Sequence, residues 1–292
     1  MLNTDYKYID VHSHLQFAAF DGDREEVLRR TLGEDTWMIN VGTQYDTSKN
    51  AALLANKYKE GVYATVALHP IHTSKSHHDI QELGEWGASF VSRGEEFNYE
   101  NYKKLAINSK VVGIGECGLD YYHLEDDTIA KQKKVFEEHI QLANEVGKPL
   151  MLHIRSSSPG GANAYKDAAE ILNNVAKVKG DVHFFAGTTE DAKRFLDMGF
   201  TISFTGVITF LPVGRQVQEG RADYEELIKY VPVDMILSET DNPYVAPVPL
   251  RGRRNEPSYV KFVVNRIAEV KGLPEEKTAE IIFNNAKRVF GL

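Results

Sequence analysis

The residues most capable of chemistry are four histidines and two carboxylates that are spread along the chain. His12 and His14 are two residues apart, so on an extended segment both side chains point the same way and can reach one ion. A mixture of imidazoles and carboxylates suits borderline divalent metals such as zinc, manganese, iron or nickel, whereas a carboxylate-dominated cage would indicate calcium or magnesium. The candidate metal ligands are His12, His14, Glu116, His153, His183 and Asp241.

Six ligands are too many for one closed tetrahedral zinc site, but they suit two ions that keep open positions. A carboxylate such as Glu116 can bridge the two ions. Two ions about 3.5–4 Å apart can activate a bridging water and clamp both sides of a phosphoryl displacement. The pattern therefore predicts a hydrolase with two divalent cations, and magnesium, manganese and zinc are the candidates.

The elements that must position these residues alternate between short strands and helices. The strand patterns are rich in Val, Ile, Phe and Met, and they are bounded by Gly, Pro, Asp or Ser. Such continuous apolar strands suit a parallel sheet that is covered on both faces. The eight predicted strands are Tyr8–His12, Trp37–Gly42, Val62–Leu68, Val111–Glu116, Leu150–Ile154, Val182–Phe185, Phe200–Phe204 and Met235–Glu239.

The helical patterns between the strands have recognisable ends. Two amphipathic stripes stop at Gly147 and Gly272, where a glycine can adopt the left-handed conformation of a helix C-cap. The last helix opens with Pro274 and two glutamates, which favour a helix N-terminus. Repeated strand–helix alternation indicates parallel βαβ units.

The positions of the polar residues distinguish a barrel from a doubly wound open sheet, since either fold satisfies the alternation. Six of the eight predicted strands carry a histidine or a carboxylate at the C-terminal end. Barrel closure makes these ends converge on one rim, where barrel active sites are built, whereas an open sheet would spread them along a line. We therefore predict an α/β fold, a single (β/α)8 TIM barrel that spans residues 1–292 as one domain.

Composition narrows the class of protein. Of the 292 residues, 42% are hydrophobic and 26% are charged, so a sizeable core is available. The N-terminus lacks the pattern of a signal peptide, and no run reaches the roughly 18–20 apolar residues that span a bilayer. The single cysteine, Cys117, excludes an internal disulfide framework. We expect a cytoplasmic protein with no membrane association and no obligate protein partner.

The net charge of −8 bears on nucleic-acid binding. Tight, non-specific binding to duplex DNA arises largely from basic residues that neutralise phosphates, so the acidic chain argues against such a coat protein. A nuclease is still compatible with this charge, because divalent metals can supply positive charge where the phosphate lies.

The motifs together resemble the TatD family of metal-dependent deoxyribonucleases, within the broader amidohydrolase-like superfamily. The resemblance covers nearly the whole chain, and its motifs are long and specific. The matching segments are Asp10–His14, Gly113–Tyr122, Lys148–Arg155, His183–Gly187, Glu239–Tyr244 and Arg251–Pro257.

The resemblance implies which side chains hold each metal and what the enzyme does. One metal is expected to be held by His12, His14, Glu116 and Asp241, and the second by Glu116, His153 and His183. Asp241 would also orient or deprotonate the attacking water, so Asp241 and Glu116 are the expected catalytic residues. The implied activity is hydrolysis of DNA phosphodiester bonds by a hydroxide that both metals activate. The family often acts as a 3′-to-5′ exonuclease, so single-stranded DNA or strand ends are the expected substrate.

The chain differs from its relatives at several motif positions. Amidohydrolase cousins often bridge their metals with a carboxylated lysine, and Glu116 on the fourth strand favours the TatD family instead. Many relatives have Leu-Asp where this chain has Leu15 and Gln16. The usual His-Cys-Phe-Ser-Gly is His-Phe-Phe-Ala-Gly here, at residues 183–187, which removes a thiol and a hydroxyl. Neither change affects an expected ligand.

Arg155, His69 and His72 are the expected substrate-binding residues. Arg155 follows His153 by two positions and so points into the same mouth, where a guanidinium could hold a phosphate bidentately. The alternative for Arg155 is a salt bridge with a rim carboxylate. His69 and His72 match the family's His-Pro motif, and we favour contacts with substrate or with the ligands over ligation, with a surface-loop role as the alternative.

Two further groups of residues leave alternatives open. Asp10 suits either an acceptor for a histidine N–H or a cap for the strand end. Tyr121 and Tyr122 suit either stacking on a base or packing of the rim.

A short basic cluster, residues 251–254, lies beside the site, where one or two arginines would contact a nucleic-acid backbone. Asn255 and Glu256 are expected to fix the loop that carries this cluster. We expect Cys117 to be a small core residue. The remaining histidines are expected to be solvated, and these are His77, His78, His123 and His139.

Two other functions compete with DNA hydrolysis. The same metals would serve hydrolysis of an ester or an amide, for example deacylation of an aminoacyl-tRNA, because metal polarisation acts on a carbonyl as well as on a phosphoryl group. Some TatD relatives remove D-amino acids from tRNA. The third possibility is a non-catalytic metal- or nucleic-acid-binding protein on a retained scaffold, which the complete ligand set argues against.

Overall fold

Eight parallel strands form one sheet, and each strand pairs with the next along the chain. The computed structural model describes residues 8–74, 94–122, 128–157, 161–210 and 223–292. The strands are β1 (Tyr8–Ser13), β2 (Thr36–Val41), β3 (Val62–Val66), β4 (Val111–Asp120), β5 (Leu150–Arg155), β6 (Gly180–His183), β7 (Thr201–Phe204) and β8 (Ile236–Ser238).

The sheet closes into a barrel between its first and last strands. Ser13 and Asn242 form a parallel bridge, and the backbone N–H of Asp241 donates to the carbonyl oxygen of His12 at 2.9 Å. The hydroxyl of Ser238 donates to the carbonyl oxygen of Ile9 at 3.2 Å. An open sheet would leave β1 and β8 apart, so the prediction of a (β/α)8 barrel is confirmed.

Helices alternate with the strands and cover the barrel. Gly147 and Gly272 adopt φ values of 66° and 65°, so both predicted glycine caps are confirmed. Within the described residues, no helix combines the length and the apolar character that a bilayer crossing requires. The described helices are α1 (Arg24–Gly33), α2 (Tyr45–Ala55), α3 (Tyr99–Ala106), α4 (Thr128–Val146), α5 (Ala164–Val175), α6 (Thr189–Asp197), α7 (Tyr224–Tyr230), α8 (Val260–Lys271) and α9 (Glu275–Phe290).

Two apolar clusters hold the barrel together. The larger one lies between the strands and the surrounding helices. The smaller one combines residues near the starts of strands, such as Ile9, Trp37 and Leu237, with Phe283 and Phe290 of α9. The last helix therefore closes the N-terminal end of the barrel, and the polar strand ends lie at the other end.

Strand β4 extends four residues beyond its predicted end at Glu116, as far as Asp120. Gly118 permits this extension, because it has a φ of 142° and a Cβ at this position would lie 2.1 Å from the carbonyl oxygen of His153. The extension places Asp120 opposite Arg155 of β5. The other predicted strands are present with shifts of a few residues at their ends.

His139 is buried, so the expectation that it is solvated was wrong. It lies on the inner face of α4, three residues after Phe136, and its ring contacts Phe97 at a centroid distance of 4.0 Å. Its Nδ1 donates to the carbonyl oxygen of Val135 at 2.7 Å, and its Nε2 accepts the backbone N–H of Leu68 at 3.0 Å. Burial lowers the pKa of His139 to about 4, so the ring is neutral at pH 7. The other three histidines of this group lie outside the described residues.

Candidate metal centre

The first two histidines come from an irregular end of β1. The pairing of β1 with β2 shifts register between Asp10 and Ser13. A regular strand would turn His12 to the face opposite Val11, which packs in the smaller apolar cluster, and the irregularity re-aims it. The Nε2 atoms of His12 and His14 lie 3.1 Å apart. The His12 ring also stacks on the His183 ring at a centroid distance of 3.5 Å.

Glu116 lies between two groups of imidazoles. Its Oε2 is 3.3 Å from His12 Nε2, whereas its Oε1 faces the residues of other strands. The distances from Oε1 are 2.7 Å to His153 Nδ1, 3.3 Å to His69 Nε2 and 3.6 Å to His183 Nε2. Burial alone would raise the pKa of Glu116, but the charges of the surrounding imidazoles hold it well below its usual range. The carboxylate is thus anionic, and its two oxygens face opposite sides of the centre.

Asp241 joins the side of the centre that contains His12 and His14. Its Oδ1 lies 3.4 Å from His14 Nε2 and 3.8 Å from His12 Nε2. Its side chain is 16% exposed, against 6% for Glu116, so solvent reaches it more readily. Its φ of 55° lies in the left-handed region. Burial raises the pKa of Asp241, but the bond to His14 and the neighbouring imidazoles lower it overall, so this carboxylate is also anionic.

His153 is held between two carboxylates. Its Nδ1 faces Glu116, and its Nε2 lies 3.0 Å from Asp120 Oδ2. Burial opposes protonation of His153, but Asp120 and Glu116 outweigh it and raise its pKa to about 9. Asp120 is not among the predicted site residues. The only signal for it was a carboxylate four positions after Glu116 in a glycine-rich segment.

His183 has a carboxylate partner of its own. Its Nδ1 lies 2.9 Å from Oε2 of Glu239, which is fully buried. Burial opposes protonation here as well, but the charges of Glu239 and Glu116 raise the pKa of His183 to about 10. Glu239 is also not among the predicted site residues. Its position two residues after Leu237, an inward-facing residue of β8, is the signal that could have identified it.

Asp10 fixes the end of β1 against the loop after β8. Its Oδ1 accepts the backbone N–H of His12 at 3.2 Å and that of Thr240 at 2.8 Å. Its Oδ2 accepts the Thr240 hydroxyl at 2.5 Å and the Asn242 side-chain amide at 3.3 Å. Asp10 therefore caps the strand end, which is the second of its two expected roles.

His69 and His72 follow β3 and are both buried. His69 is as close to Glu116 as His12 is, at 3.3 Å, and its Nδ1 accepts the backbone N–H of Ile71. Burial and the neighbouring His153 lower the pKa of His69 to about 4. The His72 ring lies farther out, 5.9 Å from the His69 ring. The structure thus brings His69 into the centre and leaves His72 beside it.

The donor set fits divalent cations. A carbonyl oxygen only accepts, so His14 Nδ1, at 2.8 Å from the carbonyl oxygen of Val41, carries a hydrogen and its Nε2 presents a lone pair when the ring is neutral. Glu239 fixes His183 in the same way. Among the residues that the structure describes, three groups have their ligand atoms within 4.8 Å of one another. These groups are His12, His14 and Glu116; His12, His183 and Asp241; and His69, Glu116 and His153.

Comparison with known proteins identifies the family. The sequence model of the TatD-related DNase family matches residues 9–291. The chain belongs to the TatD-related DNase family. Its relatives include the uncharacterised metal-dependent hydrolase YabD of Bacillus subtilis, which is 35% identical over 96% of this chain and 98% of YabD. The 3′-5′ ssDNA/RNA exonuclease TatD of Pantoea ananatis is 30% identical over 97% of this chain and 99% of that protein.

A solved structure agrees with this membership. The TatD homologue YJJV of Escherichia coli K12 superposes with a TM-score of 0.79, at 25% identity, and the match covers 99% of both chains. The resemblance to the TatD family is confirmed, and the chain is a metal-dependent hydrolase of the TatD type.

Arg155 lies at the mouth of this TatD barrel with its side chain exposed. Its guanidinium stacks on the Tyr122 ring at 3.9 Å from the ring centroid. The backbone N–H of Tyr122 donates to Asp120 Oδ1 at 2.8 Å, so the stacked pair is tied to the carboxylate that holds His153. Among the described residues, no rim carboxylate forms an ion pair with Arg155. Tyr121 packs inside, where its hydroxyl donates to Asp167 Oδ2 at 2.8 Å.

The basic cluster divides into exposed and structural arginines. Arg251 and Arg253 are exposed, and Arg251 stacks on Phe210 at 4.3 Å from the ring centroid. Arg254 instead pairs with Asp23 at 2.6 Å and also bonds Glu256, so it fixes the loop.

Asn255 and Glu256 hold the same loop. Asn255 donates to the carbonyl oxygens of Thr240 and Tyr244 at 2.8 and 2.7 Å, and Glu256 accepts two bonds from Arg30. The expectation that these two residues fix the loop is confirmed. Cys117 is fully buried in the core as predicted, and burial raises the pKa of its thiol.

Proposed function

We propose that this TatD hydrolase cleaves phosphodiester bonds in DNA and uses two divalent cations, with single-stranded DNA or strand ends as its substrate. The name of the Pantoea relative, a 3′-5′ ssDNA/RNA exonuclease, supports this substrate class. The single observation that carries the proposal is the position of Glu116, whose two oxygens face separate groups of imidazoles. One bridging carboxylate between two sets of ligands suits a pair of cations better than one.

The proposed ligand sets divide at Glu116. When bound, two divalent cations supply positive charge for the phosphate and make water more acidic, which offsets the acidic character of the chain. The identity of the cations is proposed to be magnesium, manganese or zinc. One cation would be held by His12, His14, Glu116 and Asp241, and the other by Glu116, His153 and His183, with His69 as a further candidate ligand.

Asp241 is proposed to orient water and to accept its proton. It is the most exposed of the four carboxylates of the centre, and its lowered pKa leaves it free of a proton at pH 7. Both properties suit a group that must meet water and take a proton from it.

Arg155 is proposed to hold a phosphate oxygen, because its guanidinium lies at the mouth beside the residues that fix His153. The buried His69 and His72 complete the wall on the β3 side, and a substrate contact by His72 remains part of the proposal. The whole chain is proposed to work as one catalytic domain. The cytoplasmic location stays a prediction.

A substrate panel tests the proposed function. Metal-stripped protein is reloaded with Mn²⁺, Zn²⁺ or Mg²⁺ and assayed on end-labelled single-stranded DNA, a nitrophenyl phosphodiester and an aminoacyl ester. We expect metal-dependent cleavage of the DNA and of the phosphodiester, and loss of both activities in Asp241→Asn. Cleavage of the aminoacyl ester alone would indicate that the enzyme is an ester hydrolase and not a nuclease. DNA binding without cleavage under every metal would indicate a non-catalytic binding protein.

A further inference from the structure

Phe184 has a backbone conformation that the proposed chemistry does not explain. It directly follows His183 at the end of β6, and its φ of 44° lies in the left-handed region that bulky side chains rarely adopt. Such conformations persist only where the surroundings impose them, and they are frequent at functional sites.

One buried carboxylate holds Phe184 and His183 together. Glu239 Oε1 accepts the backbone N–H of Phe184 at 2.6 Å, and Glu239 Oε2 faces His183 Nδ1 at 2.9 Å. The Phe184 ring lies edge-to-face to the His183 ring, with a centroid distance of 5.8 Å and an interplanar angle of 85°. The aromatic ring is therefore placed beside the candidate metal centre by the residue that also orients a candidate ligand.

Phe184 differs from its neighbour Phe185 in its surroundings. The side chain of Phe185 is 1% exposed and packs against Tyr165 at a centroid distance of 5.1 Å. Phe184 is half-buried, and within the described part of the chain it belongs to neither of the two apolar clusters. Core packing thus accounts for Phe185 and leaves Phe184 without a structural purpose. At this position the usual TatD motif has the smaller cysteine.

We propose that Phe184 forms one wall of a subsite for a nucleobase, that of the nucleotide at the strand end whose phosphodiester bond is cleaved. This inference rests on the proposed function. Every base has a π-face, so stacking on an aromatic side chain increases affinity for a nucleic-acid strand without selecting its sequence. Phe184 is accordingly a specificity-determining residue, which favours a nucleotide over a phosphodiester that lacks a planar group.

The test compares two oligonucleotides in the wild type and in two variants, Phe184→Leu and Phe184→Tyr. One single-stranded DNA carries a normal 3′-terminal nucleotide, and the other carries an abasic tetrahydrofuran nucleotide at that position. In Phe184→Leu, which keeps the apolar volume and removes the π-face, we expect KM for the normal DNA to rise about tenfold while kcat changes less than about twofold. KM for the abasic DNA should not change. Phe184→Tyr should behave like the wild type.

Two controls separate stacking from folding and from turnover. Phe185→Leu should lower Tm without changing the ratio of KM values, because Phe185 lies in the core. In an Asp241→Asn background, fluorescence anisotropy with labelled DNA should give the same roughly tenfold rise in Kd for Phe184→Leu.

The proposal is wrong if Phe184→Leu weakens both oligonucleotides equally or weakens neither. A wild-type protein that cleaves DNA but does not distinguish the two oligonucleotides would overturn this subsite alone. A wild-type protein that cleaves no phosphodiester would overturn the proposed function itself, so the two failures can be told apart.

Discussion

The two sides of Glu116 use similar ligands but support them differently. One group, here called the β1 side, contains His12, His14 and Asp241. In this group the imidazole of His14 is oriented by the backbone carbonyl of Val41. The other group, here called the β5–β6 side, contains His153 and His183. Each of these imidazoles is hydrogen-bonded to a second carboxylate, His153 to Asp120 and His183 to Glu239.

The difference appears in the proton affinities of the histidines. Burial and the nearby charge of His183 lower the pKa of His12 on the β1 side. On the other side, the backing carboxylates raise the pKa of His153 to about 9 and that of His183 to about 10. Asp120 and Glu239, together with Glu116, therefore favour positive charge on His153 and His183, whether it comes from a proton or from a cation.

Glu116→Gln is expected to have the largest effect, because it removes the one carboxylate that both sides share. We expect kcat/KM to fall by roughly 10³-fold or more, since charge stabilisation by bound metals contributes several kcal/mol to such reactions. Metal analysis of the purified variant should show loss from both sides. Near-wild-type activity with a full metal content would contradict the bridging role of Glu116.

His139 tests whether the loop after β3, which carries His69, depends on a residue outside the centre. Its pKa is lowered to about 4 in the folded protein from an ordinary value of 6.5, so the unfolded chain binds the extra proton more readily. The free energy of unfolding should therefore fall as the pH drops from about 6.5 to about 4, by about 3 kcal/mol from this residue. Urea unfolding of metal-free protein at both pH values measures this loss.

A matched pair of variants separates the contributions of the two hydrogen bonds that His139 makes. Gln can still accept the N–H of Leu68, whereas Asn can only reach the carbonyl oxygen of Val135 in its own helix. His139→Gln should be nearly as stable as the wild type at pH 7 and should lose less stability in acid. His139→Asn should be less stable and should also lower kcat, because Leu68 precedes His69. Equal behaviour of the two variants would show that His139 does not position the β3 loop.

Asp120→Asn and Glu239→Gln test the carboxylate support directly. Carboxylates that hydrogen-bond a metal-binding histidine contribute about 10–100-fold to metal affinity. Each variant should therefore weaken binding of the cation on the β5–β6 side by this amount and leave binding of the other cation unchanged. Isothermal titration with Zn²⁺ resolves the two steps. Asp197→Asn is the control, because Asp197 forms an exposed ion pair with Lys193 on α6. Equal weakening of both steps would mean that the two sides are not independent.

Arg155→Ala should have the smallest effect. Loss of one exposed guanidinium contact should raise KM for DNA about tenfold and leave kcat nearly unchanged. The reason is that the contact stabilises the bound substrate and the transition state equally. Steady-state kinetics on single-stranded DNA checks this, with Arg253→Ala as a control at an exposed arginine. A fall in kcat alone would place Arg155 in the chemical step.

The sequence predicted much of this molecule because the informative patterns were local. The strands are apolar runs with clear boundaries, and the two-residue spacing of His12 and His14 predicted that both could reach one ion. The barrel followed from the recurrence of polar residues at strand ends. The structure brings all six predicted ligands together, and whether they bind metal stays a prediction.

What the sequence did not predict depends on contacts between distant segments. Asp120 meets His153 only because Gly118 lets β4 continue past its expected end. Glu239 meets His183 across two strands, 56 residues apart. The helical spacing of His139 does not reveal that the backbone N–H of Leu68 donates to its Nε2, so the prediction of a solvated residue was wrong. Each of these residues supports a neighbour from a distant segment, and a local pattern does not identify that partner.

Electron paramagnetic resonance of the Mn²⁺-loaded protein shows whether Glu116 joins two cations, since a carboxylate bridge couples the spins of two manganese ions. We expect two Mn²⁺ per chain with a spin-coupled spectrum, and loss of the coupling in Glu116→Gln. One ion per chain, or two ions with the separate six-line signals of isolated Mn²⁺, would contradict this expectation.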